Sequence, residues 1–374
     1  MPIYQKNLSY AYGLDAIRFL CSVMVCVFHL TWHNSEMVKT APFGWIGVQI
    51  FFVISGVVIA GSAVNATTAQ FIKRRFLRLY PAAWIAAAIN FGLLLCVPRT
   101  IYDDLGIWVV PTVPALLHSL ALLGTTFLAS AYWTLPIELS FYGLVLLSVY
   151  GGGVERLKYV GQFLIVVGAP YLILLFFSNI GIFNTPWLDL GYGPRNMLLL
   201  RHGVYFSIGI YFWLITSGQT FKSIDKFLLV IAMIAALLEI YVRGAQTIGN
   251  YATAAQVQLT LSHLVTWAIA IFAFLTGCIF LSIRHATMWV PLPVVANCLR
   301  TLGLATYPFY LIHEVVGGFV LSRALAQGFS YQTGVVAAVS VVVTAACLIA
   351  LYAEPWLRRT VGKTAFLAQK IKSA

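Results

Sequence analysis

The stretch "RFLCSVMVCVFHL", residues 18–30, sets Arg18 and His29 in an apolar run with ten uncharged residues between them. On a helix, eleven steps come about 20° past three full turns, so both side chains share one face about 16 Å apart along the axis. Asp15 and His33 fall near the same stripe. A histidine can exchange protons near neutral pH, and an arginine can hold an anion. Well inside a membrane span, an ionisable residue costs about 2.5–3.5 kcal/mol on insertion scales, which points to a cavity or a partner. The bland alternatives stay open here: Arg18 snorkelling to the inner interface beside Asp15, and His29 buried as a neutral structural residue.

Three further groups carry chemistry. In "YWTLPIELSFYG", residues 132–143, Glu138 is expected about one turn inside the outer end of a span, just after Pro136. Proline frees a carbonyl in the preceding turn and favours an irregular, hydrated start, although a bond from Glu138 to a neighbouring helix would serve as well. In "TYPFYLIHEVVGG", residues 306–318, His313 and Glu314 are adjacent. Neighbours on a helix point about 100° apart, so they need not serve one site. This is no HExxH zinc motif, because Gly317 stands where the second histidine belongs. In "FIKRRFLRLYPAAW", residues 71–84, Lys73, Arg74, Arg75 and Arg78 gather before a span. Arg75 and Arg78 can face one way on a helix and grip phosphate, or the cluster can be an ordinary topology anchor.

The elements that position these residues follow from composition. Charged residues are 9% of the 374, against about 25% in soluble domains, and apolar runs long enough to cross a bilayer recur throughout. An all-α polytopic membrane protein follows, with spans near 14–33, 44–64, 79–97, 133–150, 160–178, 198–217, 227–242, 259–282, 301–321 and 334–353. The segment 113–129 is apolar and nearly long enough to be an eleventh. If it does not cross, 16 of the 23 Lys and Arg residues fall on one side and only Lys39, Arg99, Arg195, Arg243 and Arg323 on the other. That bias makes the rich side cytoplasmic and both termini internal, with 113–129 re-entrant or interfacial.

The net charge of +12 is then accounted for by cytoplasmic loops facing lipid headgroups, and nucleic acid is not expected as a partner. Cys21, Cys26, Cys96, Cys278, Cys298 and Cys347 are scattered, so neither a disulfide framework nor a zinc site is expected. A GxSxG elbow, a phosphate loop, an internal repeat and a cleavable signal sequence are all missing from the string. One membrane domain over 1–374 is expected, with no attached soluble domain. In the loop 183–196, Trp187, Asp189, Tyr192 and Arg195 suit sugar contacts, but an interfacial aromatic belt explains the two aromatics equally well. Arg201 and His202 are second-rank candidates for lining a cavity.

Taken in order, these fragments resemble the integral-membrane acyltransferase-3 family. "GLDAIRFL" with His29 resembles its arginine, ten residues and histidine; "FFVISGVVIAGS" its FFxxSG helix; and "KRRFLRLYP" its RxxR motif, here Arg75 and Arg78. "YWTLPIELSFY" resembles the W-[ST]-L-x-x-E-x-x-F-Y segment. "TYPFYLIH" resembles the late S-Y-x-x-Y-L-x-H helix, with Thr306 for serine. "YAEPWLRR" resembles the E-x-P ending, although Pro355 here follows Glu354 directly. No SGNH-type domain follows, as in stand-alone members.

The resemblance implies transfer of an acetyl or other short acyl group from cytoplasmic acyl-CoA to a hydroxyl of an exported or lipid-linked glycan, in a bacterial inner membrane. It implies a catalytic His29 and donor contacts from Arg75 and Arg78. On that reading, the chemistry of the residues themselves gives Glu138 or His313 the task of orienting His29 or protonating the leaving thiolate, and Arg18 that of steadying the donor or pairing with Asp15. No permanently bound cofactor or metal is expected; acetyl-CoA is a substrate, and a polysaccharide assembly complex is a candidate partner. Two rivals remain at this point: a glycan or lipid-intermediate flippase, which the buried ionisable residues also fit, and a non-catalytic partner in an export complex.

Overall fold

The computed structural model describes residues 10–34, 37–39, 41–64, 66–150, 155–183, 185–188, 194–254, 260–288 and 290–361. Among them, ten helices are long and apolar enough to cross a membrane. They contain, in order, α1 (Tyr12–Thr31), α2 (Ile46–Ala63), α3 (Thr68–Cys96), α6 (Thr134–Tyr150), α7 (Glu155–Asn179), α8 (Gly203–Thr216), α9 (Ser223–Ala254), α10 (Leu261–Arg284), α11 (Pro293–Ala326) and α12 (Tyr331–Leu348); adjoining turns extend the spans through α6, α8 and α12 to Ser130–Tyr150, Arg195–Thr216 and Tyr331–Val361. Two short helices, α4 (Thr100–Asp103) and α5 (Val113–Ala121), lie between α3 and α6. The architecture is all-helical; an isolated Val109–Ala129 bridge is the β contact among the described residues. The chain is thus a multi-pass membrane protein of the expected class.

Even-numbered crossing returns the chain to its starting side. That side collects the ends bearing Lys73, Arg74, Arg75, Arg78, Arg156, Lys158, Lys222, Lys226, Arg284, Arg300, Arg358 and Arg359, and is called the basic face below. Lys6, Lys363, Lys370 and Lys372 of the expected inner set lie outside the described residues. At this face Asp225 of α9, fully buried, accepts from Lys158 Nζ of α7 at 2.7 Å.

The segment 113–129 does not cross. At nine residues, α5 is about 13.5 Å long, under half of the roughly 30 Å hydrocarbon core. A helix ending inside a protein needs partners for its last carbonyls. Here Tyr80 Oη donates to Ala121 O at 3.2 Å and Trp84 Nε1 to Leu120 O at 3.0 Å. Those α3 residues lie about 18–24 Å along the helix from Cys96, so α5 descends toward the basic face. The chain turns at Leu122, which is left-handed at φ 58°, and returns extended with Leu128 N bonded to Ser119 Oγ at 3.0 Å. It reaches the 3-10 turn Ser130–Trp133 that leads into α6.

At the centre α11 packs on α1, α3 and α12. Asn90 of α3 donates to Leu311 O at 2.9 Å, and Tyr331 of α12 to Leu30 O of α1 at 2.7 Å. Without a hydrophobic drive between helices in lipid, close backbone approach matters, and small residues permit it. The FFxxSG glycine, Gly56, meets Gly209 of α8: a Cβ on Gly56 would lie 2.2 Å from Phe206 O, and one on Gly209 2.0 Å from Val53 O. Gly209→Val should therefore force α2 and α8 apart, at about 1–3 kcal/mol or more. The thermal midpoint in detergent should fall clearly, whereas Gly92→Ala, where a Cβ meets nothing within 4 Å, should leave it close to wild type.

Candidate active site

His29 sits on the last turn of α1, with His313 and Glu314 facing it from α11. His313 Nδ1 lies 2.7 Å from Tyr310 O, and His313 Nε2 lies 2.9 Å from His29 Nδ1. A carbonyl only accepts, so Nδ1 of His313 carries the proton and its Nε2 is a lone pair. His29 then donates through Nδ1, which leaves its own Nε2 unprotonated. That nitrogen is 3.7 Å from Glu314 Oε1. Glu314 is itself fixed: Oε1 accepts from Ser130 Oγ at 2.5 Å and Oε2 from Ala131 N at 2.9 Å. One backbone carbonyl thereby sets two imidazoles in series and aims a basic nitrogen outward.

The nitrogen opens on a cavity of about 400 Å³ lined by His29, Glu314, Ser130, Arg243, Thr125, Thr247 and aromatic walls including Trp32, Trp108 and Trp133. Gly106 closes one wall beside His33. It is left-handed at φ 66°, and a Cβ there would lie 1.9 Å from the His33 ring. Burial against this loop pushes the His33 imidazole below its ordinary range. That keeps it neutral near pH 7.

A second cavity, of about 430 Å³, lies toward the basic face. Arg18, Arg74, Arg75, Arg78 and Arg358 line it, with Glu138 as the carboxylate among its lining residues. Arg75 lies over the rings of Phe71 and Tyr142, and Arg78 over Tyr307. Arg75 Nε and Arg78 Nη1 are buried with no acceptor among the described residues. Buried cationic donors in this state favour a ligand rich in acceptor oxygens. Arg358 is held by Glu354, one turn after a π-helical stretch at Ile349–Ala353.

The boundary between the cavities falls where the 3-10 turn meets α6: Trp133 lines the aromatic cavity and Thr134 the basic one. On α11 Tyr310 lines the basic cavity while Glu314, one turn on, lines the other. Thr134 Oγ1 donates to Tyr310 Oη at 3.3 Å, and Phe51 packs edge-on against Tyr310 at 5.8 Å.

The structure brings His29 and His313 together, and gathers Arg18, Arg75 and Arg78 separately. Glu138 goes with the arginines and not with His29: it accepts from Tyr142 Oη and from Ser55 Oγ at 3.3 Å. The cause is the 3-10 turn Ser130–Trp133, which lengthens the span and puts Glu138 more than two turns inside it. His313 and Glu314 do serve one site, because α11 turns the edge between their two directions toward α1. Arg201 and His202 line neither cavity. Arg201 donates to Glu239 Oε1 at 2.8 Å and to Gln246 Oε1 at 2.9 Å, with Tyr205 on Oε2 at 2.7 Å, binding α8 to α9. His202 packs against the Trp133 and Phe52 rings. Of the loop 183–196, Asp189 and Tyr192 lie outside the described residues.

Ser130, Ala131, Arg243 and Arg358 are the residues that sequence reasoning missed. Ser130 and Ala131 precede the expected span, and the two arginines were counted only as topology markers. His29, His313 and Glu314 each offer an atom within 4.8 Å of the others, the trio among the described residues that could hold a metal ion. An ion there would have to displace the His29–His313 bond and compete with Ser130 and Ala131 for Glu314.

A family model described as an acyltransferase domain matches residues 11–353. A Bacillus subtilis (strain 168) protein named "Putative peptidoglycan O-acetyltransferase YrhL" is 30% identical over 153 residues, which are 37% of this chain and 20% of that protein. The match thus spans about a fifth of that relative's length. No solved structure matches the chain.

The Glu314 clamp has a measurable consequence for stability. Glu314→Ala strands the buried Ala131 N–H and the Ser130 hydroxyl, at about 1–3 kcal/mol for an unsatisfied buried group. Glu314→Gln keeps an acceptor for Ala131. The alanine variant should therefore melt well below wild type in detergent, and the glutamine variant between the two.

Proposed function

The chain belongs to the acyltransferase 3 family, and we propose that it is a membrane O-acyltransferase, moving an acetyl or other short acyl group from cytoplasmic acyl-CoA to a glycan hydroxyl at the opposite face. The observation that carries this reading is the pairing of an arginine-lined cavity toward the basic face with a histidine relay opening the other way. Acetyl transfer to an exported or lipid-linked polysaccharide, peptidoglycan among the candidates, is supported by the name of the Bacillus relative. The bacterial cytoplasmic membrane is its expected location.

In this mechanism Arg75 and Arg78 supply the buried donors for the phosphates of the donor, with Arg18, Arg74 and Arg358 adding charge. The pantetheine arm passes the Thr134–Tyr310 layer and brings its thioester to His29. Nε2 of His29 takes the proton of the sugar hydroxyl as its oxygen bonds to the thioester carbonyl carbon. Glu314 stabilises the imidazolium so formed, and His313 holds the ring through Nδ1. The tetrahedral intermediate collapses with cleavage of the C–S bond, and the imidazolium returns its proton to the thiolate. Ester and free thiol are the products, with His29 neutral again. Glu138 braces Tyr142 and Ser55 at the donor side and touches neither reacting group.

Membranes carrying the protein and the host glycan, given acetyl-labelled acetyl-CoA, should place alkali-labile label in the glycan. His29→Ala should abolish it. His313→Ala should cost about 10²-fold, the low end for a proton-transfer group, and His313→Gln should retain more because its side-chain oxygen can still accept from His29. Equal labelling by wild type and His29→Ala would remove His29 from the chemistry.

The arginines separate kinetically from the histidine. Arg75→Gln or Arg78→Gln should raise the KM for acetyl-CoA about tenfold or more, for a charge-assisted bond worth about 1.5–3 kcal/mol, with a smaller change in kcat. A fall in kcat at unchanged KM would place these residues outside donor binding.

A further inference from the structure

The aromatic cavity holds one cation that the transfer mechanism leaves unused. Arg243 lines its wall together with Thr247, both from α9, opposite Trp32, Trp108 and Trp133. It lines the same cavity as His29 and Glu314. Depth fixes which ligand it faces. Arg243 lies 20 residues beyond the start of α9 at Ser223 on the basic face, about 30 Å along the helix; His29 lies 17 residues beyond Tyr12, about 25 Å. Both residues thus lie in the halves of their helices away from the basic face, and both line the one cavity. The acyl donor arrives from the other direction, across Thr134 and Tyr310.

Tryptophan faces suit the C–H faces of a pyranose, and a guanidinium fork suits a carboxylate. From this we infer that the aromatic cavity is an acceptor subsite for an acidic sugar, whose carboxylate docks on Arg243 while its ring stacks on the tryptophans and presents a hydroxyl to His29. The volume of about 400 Å³ falls in the range of small-molecule sites. The inference rests on the acyl-transfer reading only for taking this cavity as the acceptor side; recognition of an acidic sugar is a separate property.

The test uses purified full-length protein in detergent and its own tryptophan emission. Titration with methyl β-glucuronoside should give saturable quenching. Methyl β-glucoside and the methyl ester of the glucuronoside should bind at least tenfold more weakly. Arg243→Gln should bring the acid to the level of the neutral sugars, and Arg243→Lys should fall between. Equal binding of acid and neutral sugars by wild type, no saturable binding of the acid, or a preference that survives Arg243→Gln would each overturn the subsite. The wild-type comparison stands even if the variants fail to fold. His29→Ala should bind the acid while losing label transfer. Acid preference without transfer in wild type would leave the subsite and sink the transferase reading; transfer without acid preference would do the reverse.

Discussion

The pairing of the two histidines in the membrane interior depends on one hydrogen bond inside α11, from His313 Nδ1 to Tyr310 O. Removed from water, a neutral imidazole must commit to one tautomer, and a carbonyl three residues back admits only one choice. That commitment passes to His29 through the 2.9 Å contact and delivers a lone pair to the cavity. Pro308, within α11, has no N–H to give to the ladder two residues before Tyr310. The same helix presents Glu314 one position after His313, and the chain returning from α5 closes over it with Ser130 and Ala131. A buried carboxylate is tolerated where donors meet it, and here two do.

Much of the fold was legible in the sequence because hydropathy and charge are summed properties. Ten spans, their order and the side that collects basic residues all come from long stretches in which single errors cancel. Boundaries are less legible where a helix leaves the apolar slab. Thr68–Cys96 begins eleven residues before the expected 79, because the KRRFLR turns are helical yet too charged to count as span. Ser223–Ala254 runs past the expected 242, so Arg243 belongs to a cavity wall and not to a loop.

The site was legible in its members and less so in their grouping. Arg18 and His29 do lie along one helix, and each lines a different cavity, which explains the polar stripe. Glu138 could not be placed by counting from Trp133, since a 3-10 turn rises about 2.0 Å per residue and extends the span before α6 begins. The convergence of His313 with Glu314 depends on how α11 rolls against α1, a tertiary fact that no local pattern encodes. Ser130 is an ordinary loop serine until the re-entrant segment folds back. Family resemblance supplied the order of motifs, and physics alone left several of them ambiguous.

The division into two cavities follows from what a membrane must not permit. An arginine-lined channel joined openly to a histidine at the far face would conduct anions and protons, and water reaching a thioester would hydrolyse it. A layer made of Thr134, Tyr310 and Phe51 stands between the two cavities, held by the hydroxyl contact and the edge-on ring packing. Tyr310 is central to the arrangement twice over. Its side chain helps close the layer, and its carbonyl sets the tautomer of the relay. Backbone and side chain of one residue thus do two jobs: the ring helps close the layer, while the carbonyl, fixed in the helix, keeps His313 and His29 in register.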